Sequence, residues 1–139
     1  MKNFFLALTL IAFSVGCVAQ EPASNSIRLE AEKGQFFGVN ASKSRPGYSG
    51  TGYVTSFNNE NDTVKWVIPN ATAGIHTVSL RYSTDMPKGF GVIVNGVQTD
   101  GMFPNSNDKF AIYDLGKIEL KSGANTVSIA KGWGWYDLD

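Results

Sequence analysis

The sequence predicts an all-β fold, a sandwich of two antiparallel sheets. Three observations carry that prediction. Apolar residues recur with a period of two, turn-forming residues interrupt these runs at short intervals, and no stretch has the period of an amphipathic helix. The 139 residues, 42% of them hydrophobic, suffice for one core and leave no room for a second domain.

In chain order, the first element lies outside the fold. Lys2 precedes an apolar run from Phe4 to Val15, too short for a spanning helix and suited to a secretory signal. Residues 1–19 are therefore read as a signal peptide, and export is expected. Cleavage after Ala19 leaves the small residues Cys17 and Ala19 where a signal peptidase prefers them, giving a soluble secreted protein from Gln20. Cleavage before Cys17 would instead leave a lipid-anchored surface protein. Ser14 stands where such signals usually carry Leu, so soluble secretion is favoured. With Cys17 the only cysteine, the exported domain has no disulfide. Residues 20–26 read as a polar linker, and 27–139 as the folded module.

Within the module, Ile27, Leu29 and Ala31 alternate with Arg28, Glu30 and Glu32, predicting a first strand. Val64, Trp66 and Ile68 alternate with Thr63, Lys65 and Val67, and Val78, Leu80 and Tyr82 with Thr77, Ser79 and Arg81. Turn signals fall at Arg45-Pro46-Gly47, Asn58-Asn59, Pro69-Asn70, Ala73-Gly74, Asp100-Gly101 and Ser122-Gly123. Asn95-Gly96, between Val92-Ile93-Val94 and Val97, predicts a tight hairpin.

Composition excludes several functions. Twelve basic residues balance twelve acidic ones, and loss of Lys2 with the signal leaves eleven, a charge of −1. Nothing there draws a phosphate backbone or an anionic membrane, so neither nucleic acid nor membrane is an expected partner, lipidation at Cys17 aside. The single histidine, His76, reads as a half-exposed strand residue, and no glycine-rich phosphate loop precedes a helix. Glu30 and Glu32, roughly 6.5 to 7 Å apart along a strand, leave three readings open: a catalytic pair, two hard oxygen ligands for a calcium ion, or a solvated face.

Several strings together carry a family resemblance: Leu29-Glu30-Ala31-Glu32, Gly47-Tyr48-Ser49-Gly50-Thr51-Gly52-Tyr53-Val54, Leu80-Arg81-Tyr82-Ser83, Val94-Asn95-Gly96, Gly123-Ala124-Asn125-Thr126-Val127 and Gly132-Trp133-Gly134-Trp135-Tyr136-Asp137-Leu138-Asp139. In this order the chain resembles carbohydrate-binding module family 35, a relative of family 6, and the ending most resembles modules attached to β-mannanases. The resemblance implies a jelly-roll β-sandwich that binds carbohydrate without catalysis and targets a glycoside hydrolase to plant cell-wall polysaccharide. It puts β-mannan ahead of uronic acids, galactan or xylan. It also implies a structural calcium ion on Glu30, Glu32 and Asp139, completed by a carbonyl from 44–47. The family's final strand continues past that aspartate. Here it stops at Asp139, which predicts a truncated last strand, an exposed sheet edge and marginal stability, with a catalytic domain expected beyond. A monomer is expected.

A sugar needs an aromatic platform for its apolar face and hydrogen-bonding groups for its hydroxyls. Trp133, between Gly132 and Gly134, is the leading platform, with a wedge over the core as its alternative role. Trp135 either joins it or faces the core; Tyr48 either joins it or supports the calcium loop. Phe110 falls near where relatives place a stacking aromatic, and Asp85, Lys88, Asn107 and Asp108 supply polar groups beside it. In other branches an asparagine in the last loop contacts the ligand; Trp133-Gly134-Trp135 stands there instead, which disfavours a uronic-acid site. A small polysaccharide-degrading enzyme using Glu30 and Glu32, and a surface adhesion domain, are the competing functions.

Overall fold

The computed structural model describes residues 26–139. The signal segment, Cys17 and the linker up to residue 25 lie outside the described residues. A 3-10 helix (Ala31–Lys33) is followed by ten strands: β1 (Gln35–Phe37), β2 (Asn40–Ser42), β3 (Tyr53–Thr55), β4 (Thr63–Ala71), β5 (Gly74–Ser83), β6 (Lys88–Val94), β7 (Val97–Phe103), β8 (Ala111–Leu120), β9 (Gly123–Lys131) and β10 (Asp137–Leu138). They form two five-stranded sheets, ordered β1-β4-β9-β6-β7 and β2-β3-β10-β5-β8, with antiparallel pairing throughout. The predicted two-sheet antiparallel sandwich is the observed one.

The period-two runs sit as expected. Val64 and Ile68 of β4 are buried while Val67 faces out at 59% exposure, and on β5 Tyr82 is buried while Thr77 and Ser79 are exposed. Asn95 (φ 49°) and Gly96 (φ 86°) both adopt the left-handed conformation that a two-residue hairpin between β6 and β7 requires. His76 is partly exposed on β5, its Nε2 2.8 Å from the Thr72 carbonyl.

Residues 27–32 depart from expectation, because they form no strand. Lys33 N–H bonds the Glu30 carbonyl and Gly34 N–H that of Ala31, winding the segment into the 3-10 turn. The Trp66 indole donates to the Glu30 carbonyl at 3.0 Å, so a side chain takes the acceptor that a neighbouring strand would use. The alternation reflects one buried residue, Ala31, in an irregular segment.

The core is aromatic. Phe90 stacks on Phe103 at 4.0 Å, Phe103 on Tyr82 at 4.3 Å, and Phe57 on Tyr136 at 4.4 Å. β10 spans two residues and, contrary to the expected exposed edge, lies inside its sheet, pairing with Tyr82 and Ser83 of β5 on one side and Val54 of β3 on the other. An open groove of about 1370 Å³ is lined by Trp66, Ile68, Leu80, Ile129 and Leu138, with the polar Glu30 and Asp139 also in its wall.

Asp62 closes the turn before β4. It is 3% exposed, and its Oδ2 accepts the Asn58 and Asn59 N–H groups at 2.7 and 2.6 Å. Burial pushes its carboxyl up, but these donors outweigh the effect and hold it below the ordinary value of 3.8. A depressed carboxyl stabilises the fold above its unfolded pKa, and that contribution disappears as pH falls through the folded value. Asp62→Ala is therefore expected to cost about 1–2 kcal/mol at neutral pH, with the gap to wild type narrowing below about pH 4. Urea titrations at pH 7 and pH 3.5 check both parts.

Candidate functional site: an exposed tryptophan platform and a carboxylate cluster

Strand register gathers three loops at one end of the sandwich: 84–87 after β5, 104–110 after β7 and 132–136 after β9. The Ser106 and Asp108 N–H groups both bond the Thr84 carbonyl, and Gly89 N–H bonds that of Trp133 at 2.7 Å. The last contact belongs to a tight glycine seam. A Cβ on Gly132 would lie 2.6 Å from the backbone of Gly89, and one on Gly89 would lie 2.8 Å from the Trp133 nitrogen.

On this seam Trp133 is 64% and Trp135 61% exposed, so neither fills the core. Lys88 lies beneath them, only 2% exposed, its Nζ 4.1 Å from the Trp135 ring centroid, 5.8 Å from that of Trp133 and 3.5 Å from Asp85 Oδ1. Asp85 thus belongs to the same cluster. Tyr48 and Phe110 do not share it. Loop 43–52 packs Tyr48 against buried Tyr53 at 6.0 Å, and Phe110 meets Tyr53 at 5.4 Å and the Arg81 guanidinium at 5.2 Å. Among the described residues no aromatic or cation contact joins the two groups. Asn107 is exposed with φ 53°, its N–H turned to Asn105 Oδ1. Asp108 is held by Arg45, which also pairs with Asp137 at 3.0 Å.

A second cluster surrounds Ser49–Thr51. Glu32 Oε1 accepts the Thr51 N–H and hydroxyl, each at 2.8 Å. The Ser49 hydroxyl reaches Glu30 at 3.4 Å and Asp139 at 3.1 Å. A Cβ on Gly50 would lie 2.7 Å from Glu32 Oε1 and 2.9 Å from Glu30 Oε2, and its φ of 60° lies in the left-handed region that favours glycine. Burial pushes the Glu32 carboxyl up, but the Thr51 donors outweigh it and hold the group below its ordinary value. Its Oε2 is buried with no hydrogen-bond partner. Arg81 pairs with Asp139 and donates to the Gly47 carbonyl at 2.6 Å, and Arg28 pairs with Glu30 at 2.6 Å. Among the described residues no three acidic, His or Cys side chains converge as an ion-holding set. The hard oxygens and the orphaned Glu32 oxygen fit a divalent cation completed by main-chain oxygen. The two glutamates meet across Gly50, not along a strand.

Comparison with known proteins assigns the chain to a family. The profile described as carbohydrate binding module (family 35) matches residues 27–139. The chain belongs to that family. It is similar to a mannan endo-1,4-beta-mannosidase of Thermothelomyces thermophilus, 31% identical over 87% of this chain and 25% of the relative. Among solved structures it resembles the Podospora anserina GH26-CBM35 beta-(1,4)-mannanase, with 33% identity and a TM-score of 0.75 over 80% of this chain and 25% of that one. It also resembles a CBM35 from Paenibacillus barcinonensis, with 25% identity and a TM-score of 0.69 over 80% of this chain and 94% of that one. The chain spans about a quarter of the length of the curated mannanases it matches. This family 35 module binds carbohydrate and is not a catalytic domain.

Lys88, expected from the sequence only as a polar group for sugar hydroxyls, is instead buried. The available signal is in the glycines: Gly89 and Gly132 let two backbones approach closely, and Gly134 leaves room for the Lys88 side chain beneath the last loop. Ser49 and Thr51, which organise the carboxylates, lie within the Gly47 to Val54 string without having been singled out.

Proposed function

We propose that this module binds β-mannan at Trp133 and Trp135 and directs a covalently linked glycoside hydrolase to plant cell-wall polysaccharide after export. The observation that carries this reading is two tryptophans, each more than 60% exposed, held on a close-packed backbone seam. An indole face of this kind matches the apolar C–H face of a pyranose, and Asp85 and Asn107 in the adjoining loops supply partners for hydroxyls. The mannan choice is supported by the names of the relatives. Export rests on the apolar run after Lys2, with soluble secretion favoured over attachment at Cys17.

A calcium ion held by Glu30 and Glu32 belongs to the same proposal, with Asp139 the next carboxylate, linked to Glu30 through the Ser49 hydroxyl. The ion would neutralise the buried Glu32 oxygen and fasten the segment before β1 to loop 43–52 and β10.

Stacking one ring on a sugar is worth about 1–3 kcal/mol, and each 1.4 kcal/mol is a factor of ten in affinity. Trp133→Ala and Trp135→Ala should each weaken binding to mannohexaose by roughly tenfold or more while melting stays near wild type. Calorimetric titration against mannohexaose, xylohexaose and galactan oligomers reads this directly; wild-type binding to xylan or galactan alone would overturn the mannan assignment.

Calcium binding to the native state raises stability by mass action. Chelation should lower the melting temperature of calcium-loaded wild type, and Glu32→Gln should remove the difference. A chelator-insensitive melt in protein verified by elemental analysis to carry calcium sinks this part of the reading.

A further inference from the structure

Lys88 is the unusual residue of the platform. A lysine seldom lies fully inside a protein, and here the whole side chain is covered at the first position of β6. Its stem lies against the last loop: a Cβ on Gly134 would sit 2.5 Å from Lys88 Cδ, and Gly134 has φ 80°. Its ammonium group lies near both indole rings, with one carboxylate, Asp85, at 3.5 Å. An apolar side chain would fill the stem's space without the desolvation cost of a charge. The charge therefore needs a role beyond packing, and its two aromatic neighbours are the exposed rings of the platform.

We infer that Lys88 is a positioning residue: its ammonium group, balanced by Asp85, holds Trp133 and Trp135 by cation–π contact in the orientation in which they meet the sugar. The inference rests on the reading of these rings as the carbohydrate platform. The glycine seam fixes the backbone of the loop, but both rings are more than 60% exposed, so little but the Lys88 ammonium group is left to set the ring orientations themselves. A cation near an indole face restrains the ring through the quadrupole, and it does so for both rings at once. Rings fixed before the ligand arrives lose less freedom on binding, so affinity follows the presence of the charge.

Three variants test this: Lys88→Arg keeps the charge, whereas Lys88→Gln and Lys88→Met remove it. Calorimetric titration with mannohexaose, near-ultraviolet circular dichroism of the tryptophans and thermal melting are measured on each. The expected result is weakening of binding by about tenfold in Gln and Met, with flattened tryptophan bands, while Arg retains most of both signals. Comparison of Arg with Gln at matched melting temperature separates the charge from packing, and it decides the matter even if Met does not fold. Equal affinity and equal spectra in Arg and Gln overturn the inference. Trp135→Ala is run alongside: if it and Trp133→Ala bind like wild type, the platform reading itself fails, whereas loss of binding in both with no difference between Arg and Gln at position 88 sinks the role of Lys88 alone.

Discussion

The burial of Tyr136 is the constraint from which the arrangement of the tryptophan end follows. Its ring stacks on Phe57 at 4.4 Å and meets the edge of Phe103 at 5.0 Å, and its hydroxyl donates to the Ala130 carbonyl at 2.8 Å. Burial pushes the phenol far above its ordinary range, so it stays a neutral donor. Successive residues of an extended chain face opposite ways. With Tyr136 pointing in, Trp135 points out, and the loop from Gly132 must cross the Lys88–Phe90 backbone at the distance only glycines permit. The same anchor delivers Leu138 to the core, where it pairs with Val54 of β3 and Tyr82 of β5 and joins two strands that do not touch each other.

How much of this was legible in the sequence depended on whether the deciding interaction was local. The alternation in β4 and β5 and the Asn95-Gly96 turn are local, and they appear as read. β1 and β2, three residues each, carry too short a pattern to register. The segment from Ile27 to Glu32 had the right pattern and the wrong conformation, because a side chain from β4 takes its backbone acceptor. Trp133 and Trp135 were legible as platform candidates from the flanking glycines. Whether Trp135 faced the core depended on where Tyr136 packs, a long-range contact with Phe57. Tyr48 and Phe110 fell in suggestive loops, yet buried Tyr53 draws both to itself. Asp62 was silent, since a lone aspartate in a polar turn gives no sign that two backbone donors will enclose it.

Charge organises the same loops by pairing instead of by net sign. Arg45 reaches Ser83, Asp108 and Asp137, connecting loop 43–52 to the ends of β5 and β10 and to loop 104–110. Arg81 connects Gly47, Asp139 and the face of Phe110. Exposed pairs contribute little singly, but Asp137 and Asp139 are largely covered, and removing either arginine would strand a carboxylate without its cation. A net charge of zero thus conceals cross-links between segments far apart in sequence.

The two most pronounced hollows among the described residues lie away from the tryptophans. The groove beside Leu138 and a hollow of about 500 Å³ beside Val92, Val94, Leu115 and Leu120 mix aliphatic side chains with polar ones, Glu30, His76 and Asp139 in the first and Lys117 and Glu119 in the second. Neither includes Trp133 or Trp135. An extended polymer can lie across rings that project from the surface. On the proposed reading of these rings as the sugar platform, the contribution of each ring depends on how little it must be ordered when a ligand arrives. Close backbone contact at Gly89 and Gly132 and a buried anchor one residue past Trp135 limit that cost. The architecture therefore invests its rigidity in holding two exposed rings in place.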